Sequence, residues 1–304
     1  MPLLKRLTLL FPVLLIISFV AFLLIRAAPG GPFDRERAPA SPEIEKSLKA
    51  KFHLDEPLLK QYVRYLGDLA RGDLGPSMKH RNHDVIDLIA QGLPVSMTLG
   101  LLAFCFALGL GLPWGVFMAV RRGQWADHAA GLLALLGVCV PGLVLGPLLV
   151  MVFAVQWRVF PVAQWGTPAH VVLPTLTLGL FFAGKIARLM RESMTTTLQA
   201  EFITAARAKG LSESAILFRH ALRIAVLPIV SFSGPMLADL LTGSFVVENI
   251  FQIPGLGTFF VNSFFNRDYT LQIGLVLLYA VLLLVLNLLV DIAYSLLDRR
   301  VRYE

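Results

Sequence analysis

Six stretches of this chain are too long and too apolar to be left in water. They are Leu7 to Ile25, Val95 to Val120, Gly131 to Val155, Val171 to about Ala187, Ile224 to Val247 and Ile273 to Leu297. A helix rising about 1.5 Å per residue needs about 20 apolar residues to cross about 30 Å of hydrocarbon, and each run approaches or exceeds that length. The chain is 56% hydrophobic and only 15% charged, too few charges to coat a water-soluble domain of 304 residues. The predicted class is therefore an all-α integral membrane protein with six transmembrane helices. The first run follows Lys5 and Arg6 as a signal peptide would. Its apolar core is too long for one, and Arg26-Ala27-Ala28 is a poor cleavage site, so the expectation is an uncleaved span.

The formal charge of +7 raises nucleic acid as a partner, and the placement of the charges removes it. With alternating spans, Lys5, Arg6, Arg121, Arg122, the basic residues from Arg188 through Arg223, and Arg299, Arg300 and Arg302 all fall on one side. The short loops of the other side hold little beyond Arg158 and Arg267. The positive-inside rule puts both termini and the 188–223 segment in the cytoplasm. Residues 1–28 then form a tail and first span, 29–94 an extracytoplasmic loop, and 95–304 a core with five further spans. In the loop, Pro42 to Phe52 and Pro57 to Leu69 predict amphipathic helices, the second with Leu58, Leu59, Tyr62, Tyr65, Leu66 and Leu69 at helical spacing. Gly72, Gly75 and Pro76 end that pattern. The loop is either a lid on the span ends or a docking surface for an external partner. Cys105 and Cys139 lie far apart in apolar runs, as small core or lipid-facing residues do.

Catalysis needs converging reactive groups, and none of the usual signatures is present: no HExxH, no GxSxG and no GxxxxGK[ST] phosphate loop. The expectation is a non-enzyme with no metal or cofactor of its own. Ionisable groups within the spans are few: Lys185 and Asp291 near inner ends, and Asp239 deeper in the fifth run. Asp239 is the candidate for a passage residue, and a proton-coupled carrier built around it is the alternative function.

The largest cytoplasmic segment has its own pattern. Thr195 to Thr197 are placed to cap a helix over about Leu198 to Lys209, with Leu198, Phe202, Ala205 and Ala206 on one face. Glu201 early and Lys209 late suit the helix dipole. Gly210 sits where a helix ends in the left-handed conformation, and Ser212 can cap a following helix that runs toward Leu227-Pro228. On spacing alone this is equally a protein-docking corner or an interfacial amphipathic helix.

Here the chain becomes recognisable. Ala205-Ala206-Arg-Ala-Lys209-Gly210-Leu211, with Leu227-Pro228 downstream, resembles the cytoplasmic AAxxxG…LP loop of permease subunits of ABC importers. Thr204 stands where the general pattern has an acidic residue, and the distance to Leu-Pro is longer; both departures resemble the peptide-importer branch. Arg26-Ala-Ala-Pro-Gly-Gly-Pro-Phe33, Gly72-Asp-Leu-Gly-Pro-Ser77, Thr242-Gly-Ser244, Val247-Glu-Asn-Ile-Phe-Gln-Ile-Pro-Gly-Leu-Gly257 and Asn266-Arg-Asp-Tyr269 are similar to motifs of that branch, in order, along nearly the whole chain. The resemblance implies a type I importer permease fold in which Glu201 to Leu211 form a coupling helix seated on an ATPase. It further implies a second homologous permease, two cytoplasmic ATPases carrying ATP and Mg²⁺, an extracytoplasmic solute-binding protein, and peptide as substrate. Dipeptide, nickel and glutathione importers share the scaffold.

Ile253-Pro254-Gly255-Leu256-Gly257 cannot continue a helix in lipid, because proline removes a donor and glycine loosens the backbone. The segment either closes the fifth span externally or lines a path. The resemblance implies a position beside the external gate.

Overall fold

A computed structural model describes residues 3–27, 42–80, 82–241 and 245–297, and every named element among them is helical. In chain order these are α1 (Leu3–Ala27), α2 (Pro42–Lys51), α3 (Leu58–Leu69), α4 (Val85–Val120), α5 (Trp125–Cys139) and α6 (Gly142–Leu149), the last prolonged by a π-helical stretch, Val150–Gln156. Then come α7 (Val172–Leu198), α8 (Glu201–Ala208), α9 (Glu213–Ala215), a π turn (Ile216–Ala221), α10 (Leu222–Ala225), α11 (Leu227–Leu241), α12 (Phe245–Ile250), α13 (Leu256–Asn266) and α14 (Tyr269–Leu297). Among the described residues, five stretches are long and apolar enough to cross a membrane, and a bent pair makes a sixth. Arg299, Arg300, Arg302 and the motif residues 28–33 and 242–244 lie outside the described residues, as do the side chains of Lys5, Arg6 and Asp291.

The bent pair corrects the third predicted span. Gly131 to Val155 is not one straight helix: α5 and the helix from Gly142 to Gln156 meet at 104°. Pro141 has no N–H and disfavours helical geometry in the residue before it, and Val140 is accordingly extended (φ −79°, ψ 115°). Two other boundaries move outward. Helix α4 starts at Val85, ten residues before the predicted start at Val95, and α7 continues beyond Ala187 to Leu198. Helices do not have to stop where hydrocarbon does.

Two compact units divide the chain, Met1–Pro94 with Gly255–Leu282, and Val95–Pro254 with Leu283–Tyr303. In the first, Tyr62, Tyr65, Leu66 and Leu69 of α3 pack with Phe22 and Ile25 of α1 and with Tyr269, Ile273 and Leu277 of α14. Tyr62 Oη lies 2.8 Å from the buried Ser18 hydroxyl. The expected single apolar face is only partly used, because Leu58 and Leu59 are exposed. Two motifs noted separately in the sequence meet here. Asp268 of Asn266-Arg-Asp-Tyr269 accepts from the Ser77 hydroxyl and from the Met78 N–H at 3.1 Å, and also from Leu271 N–H at 3.2 Å at the start of α14. One buried carboxylate thus caps a span and clasps the 72–78 loop.

In the second unit, α7 is the central helix. Gly111 and Gly115, one turn apart on α4, face Ala183 and Ala187 of α7 so closely that a Cβ on Gly115 would stand 2.5 Å from the Ala187 carbonyl oxygen. On α7 itself, Gly184 meets the Ala134 carbonyl of α5 in the same way, also at 2.5 Å. Lipid tails give apolar helices no incentive to associate, so backbone-close contact through small residues has to supply the attraction. Gly115→Leu is therefore expected to lower the melting temperature and yield of the purified protein, since overpacking costs about 1–3 kcal/mol even where side chains can yield. Gly109→Leu, at a position with nothing within 4 Å, is expected to leave both unchanged. Thermal melts of the two variants check this.

Candidate functional site

Helix α7 carries the chain through Leu198, Gln199 and Ala200 turn it, and α8 begins at Glu201. The three threonines are not caps. Thr197 and Thr196 donate to the carbonyls of Ser193 (2.8 Å) and Glu192 (3.1 Å) inside α7, the back-bonding these hydroxyls favour within a helix. The N-cap of α8 is Ala200, extended and without a side-chain bond. The face drawn from the sequence also changes. Helix α8 buries Ile203 and Ala206, three residues apart, while Phe202, Ala205, Lys209 and Leu211 are exposed and Leu198 belongs to α7. Glu201 is exposed in the first turn.

The end of α8 agrees with expectation. Gly210 has φ +76°, Gly210 N–H donates to Arg207 O and Leu211 N–H lies 3.4 Å from Ala206 O, the paired bonds of a left-handed helix stop. Ser212 then caps α9, its hydroxyl 3.4 Å from Ala215 N. Arg207 bridges the turn to Glu213 through two bonds of 2.8 and 3.1 Å. The hydrogen bond from Arg207 and its attraction hold the Glu213 carboxyl below the usual carboxylate range. The brace is thus intact at neutral pH and weakens as acid protonates Glu213; both partners are fully exposed, so screening keeps it small.

Ile203 and Ala206 do not pack locally only. They belong to one continuous cluster with Met190 and Met194 of α7, Ile216 and Ala221 of the π turn, and Ile229, Met236 and Leu240 of α11, and it extends along α7 to Phe182. Phe182 and Leu240 also line a cavity of about 580 Å³. Its other walls include Pro141 and Gly142, Thr177, Phe181, Val247 and Asp239. The broken backbone that lines this cavity is thus Pro141-Gly142, whose significance the apolar run concealed. The neighbouring Lys185 ammonium stacks over Phe181 at 4.2 Å from the ring centre.

Of the gate candidates, Asp239 lines that cavity, and the remainder sit at helix ends. Helix α12 stops with Gln252 left-handed (φ 52°) and Ile253 N–H donating to Glu248 O at 2.7 Å; the exposed Pro254 follows. Ile253 is buried among Leu99, Leu173, Val247 and Phe251. In the other unit, Gly255 is the N-cap of α13, Leu256 is buried against Val85, Leu88 and Leu275, and Gly257 is buried beside it. Helix α13, between this turn and the last span, was not foreseen.

Two buried ionic groups also escaped sequence reading. Glu248 is fully buried and accepts from the Ser96 hydroxyl at 2.7 Å. Asp127 is buried and accepts two 2.7 Å bonds from Arg191, tying α5 to α7 near α8. Both partners come from distant sequence, so no local spacing points to either pair.

Gly210 offers a test of the turn. Nothing lies within 4 Å of a Cβ built there, so a substitution acts through the backbone alone. Left-handed geometry costs a side-chain-bearing residue about 1–2 kcal/mol, and asparagine less than a β-branched residue. Gly210→Val is expected to speed hydrogen exchange across Ala206–Ser212 by about 5- to 30-fold. Gly210→Asn should stay near the native rate in the same exchange measurement.

Comparisons with known proteins agree with this architecture. The family model described as "Binding-protein-dependent transport system inner membrane component" matches residues 111–303. The oligopeptide transport system permease protein OppB of Haemophilus influenzae is 43% identical over 301 residues, covering 98% of each chain. The dipeptide transport system permease protein DppB of Bacillus subtilis is 43% identical over 298 residues, 98% of this chain and 96% of that one. OppB of Escherichia coli K12 is 41% identical over 96% of each. Among solved structures, a chain of the inward-facing MetNI methionine ABC transporter aligns with TM-score 0.58 at 20% identity, over 70% of this chain and 98% of that one. A chain of an amino acid ABC transporter aligns with TM-score 0.54 at 19% identity, over 71% and 95%. The chain belongs to the family of binding-protein-dependent transport system inner-membrane components, the permease subunits of ABC importers.

Proposed function

We propose that this chain moves oligopeptides across a bacterial inner membrane by alternating access, with both termini in the cytoplasm. It would work beside a second homologous permease, with two cytoplasmic ATPases that bind ATP and Mg²⁺ and an extracytoplasmic solute-binding protein that delivers peptide. The observation that carries the substrate class is full-length similarity at 41–43% to relatives named for oligopeptide and dipeptide transport. The Bacillus subtilis relative keeps dipeptides within the class. An apolar cavity with few charged groups suits cargo of varied side chains.

The mechanism follows from what is exposed and what is packed. Ala205 presents a nearly bare backbone on a two-turn helix, so an ATPase surface can approach closely there. Ile203 and Ala206, on the opposite face, tie α8 into the cluster that reaches Phe182 and Leu240 at the cavity. ATP binding can bias the inward and outward states only through contacts that differ between them. Displacement of α8 by an ATPase supplies such a contact, and close packing passes the displacement on, because a dense interior transmits strain.

The two alanines therefore separate contact from stability. Ala205→Trp is expected to leave the chain in the membrane with its second permease, lose the ATPases from mild-detergent purification, and abolish peptide uptake. Ala206→Trp, forced into a buried position, is expected to reduce the amount of folded chain instead. A purified Ala205→Trp complex that retained its ATPases and full uptake would remove the coupling role from α8.

A further inference from the structure

A second cavity, of about 600 Å³, opens at the end of the helices that carries α8, and the function proposed above makes no use of it. Its size lies within the roughly 300–1,000 Å³ of small-molecule sites. Arg122, just past α4, and Arg188 and Arg191 of α7 bring three guanidinium groups to its walls. Asp127 and Glu192 are the acids among the lining residues. Arg191 and Asp127 neutralise one another through their two 2.7 Å bonds. Arg122 and Arg188 have no carboxylate partner within ion-pair distance among the described residues. Set against Glu192, they leave a surplus of one positive charge, with His128 and Thr195 as further polar groups on the wall.

That surplus matches one singly charged phosphodiester, and a guanidinium fork suits phosphate oxygens better than any neutral group. The surroundings indicate where the phosphate comes from. Trp125, at the start of α5, is 82% exposed, as a tryptophan anchored at a membrane–water boundary is. Val120 of α4 and Leu132 of α5, each within two positions of a lining residue, are exposed apolar side chains available to acyl chains. Basic pockets between spans on the cytoplasmic side are where anionic headgroups bind. We propose that this cavity holds the phosphate of an anionic membrane phospholipid. Thr195 and Gln199 on its wall precede α8 directly, so an occupied site would brace the end of α7 from which α8 hangs.

The test is native mass spectrometry of the full transporter complex, taken from nanodiscs of phosphatidylcholine with one part in four of phosphatidylglycerol. About one phosphatidylglycerol should remain with each copy of this chain, and R122Q/R188Q should lower its retention at least about tenfold. Glu192→Gln, which removes the competing carboxylate, should raise retention, so the proposal does not depend on the double variant folding. R219Q/R223Q, two exposed arginines that do not line this cavity, should change nothing. Equal retention in all variants would overturn the proposal. So would displacement of the lipid by millimolar inorganic phosphate, which would mark a soluble-anion site. Loss of ATPases from R122Q/R188Q with lipid retained would make the cavity a protein contact. A complex that never includes ATPases would instead count against the coupling role of α8, and lipid retention by this chain could still be read.

Discussion

The contact between the backbones of α4 and α7 is the constraint on which the second unit depends. Membrane helices gain nothing by hiding leucine from lipid, so they hold together only where atoms touch over a continuous line. Gly111 and Gly115 against Ala183 and Ala187 provide that line, and Gly184 against Ala134 repeats it toward α5. Three features of the unit are attached to α7. Its N-terminal half contributes Thr177, Phe181 and Phe182 to a cavity, its C-terminal half packs Met190 and Met194 with Ile203 and Ala206 of α8, and Arg191 anchors Asp127. Separating α7 from its neighbours would disconnect all three.

Polar groups at membrane depth follow the rule that such groups are paired or face a cavity. Ser96 donates to Glu248 inside the packed interior, and Asp239 lines the cavity with Phe181 and Phe182. The bend at Pro141 belongs to the same logic. Proline interrupts the hydrogen-bond ladder of the third span, and the interruption lies where Pro141, Gly142 and Thr177 border the cavity.

The existence of the spans was legible because length and hydropathy alone decide it. Their ends were not, since α7 keeps helical geometry eleven residues beyond Ala187 with no penalty in water. Gly210 was legible because glycine marks left-handed helix stops. Helices α2, α12 and α13 stop in the same geometry at His53, Gln252 and Arg267, where no glycine announces it. The threonine caps failed because Thr196 and Thr197 can satisfy their hydroxyls inside the helix they were expected to follow. Partnerships such as Ser77 with Asp268 and Asp127 with Arg191 join residues distant in sequence, and one chain without tertiary contacts carries no trace of them. In the α8 segment, the sequence pattern puts Ala205 and Ala206 on one face, and only the fold separates the exposed Ala205 from the buried Ala206.

In the proposed mechanism, one packed cluster carries displacement of α8 to the cavity at Phe182 and Leu240. The measurement that tests it most directly is alkylation of a single cysteine introduced as Leu143→Cys at the cavity, with Cys105 and Cys139 replaced by serine, in the assembled transporter with and without a non-hydrolysable ATP analogue. The analogue is expected to change the alkylation rate, and Ile203→Ala, which loosens the cluster beneath α8, is expected to keep the ATPases bound but abolish the change. An equal response of the cysteine with Ile203 removed would contradict that mechanism.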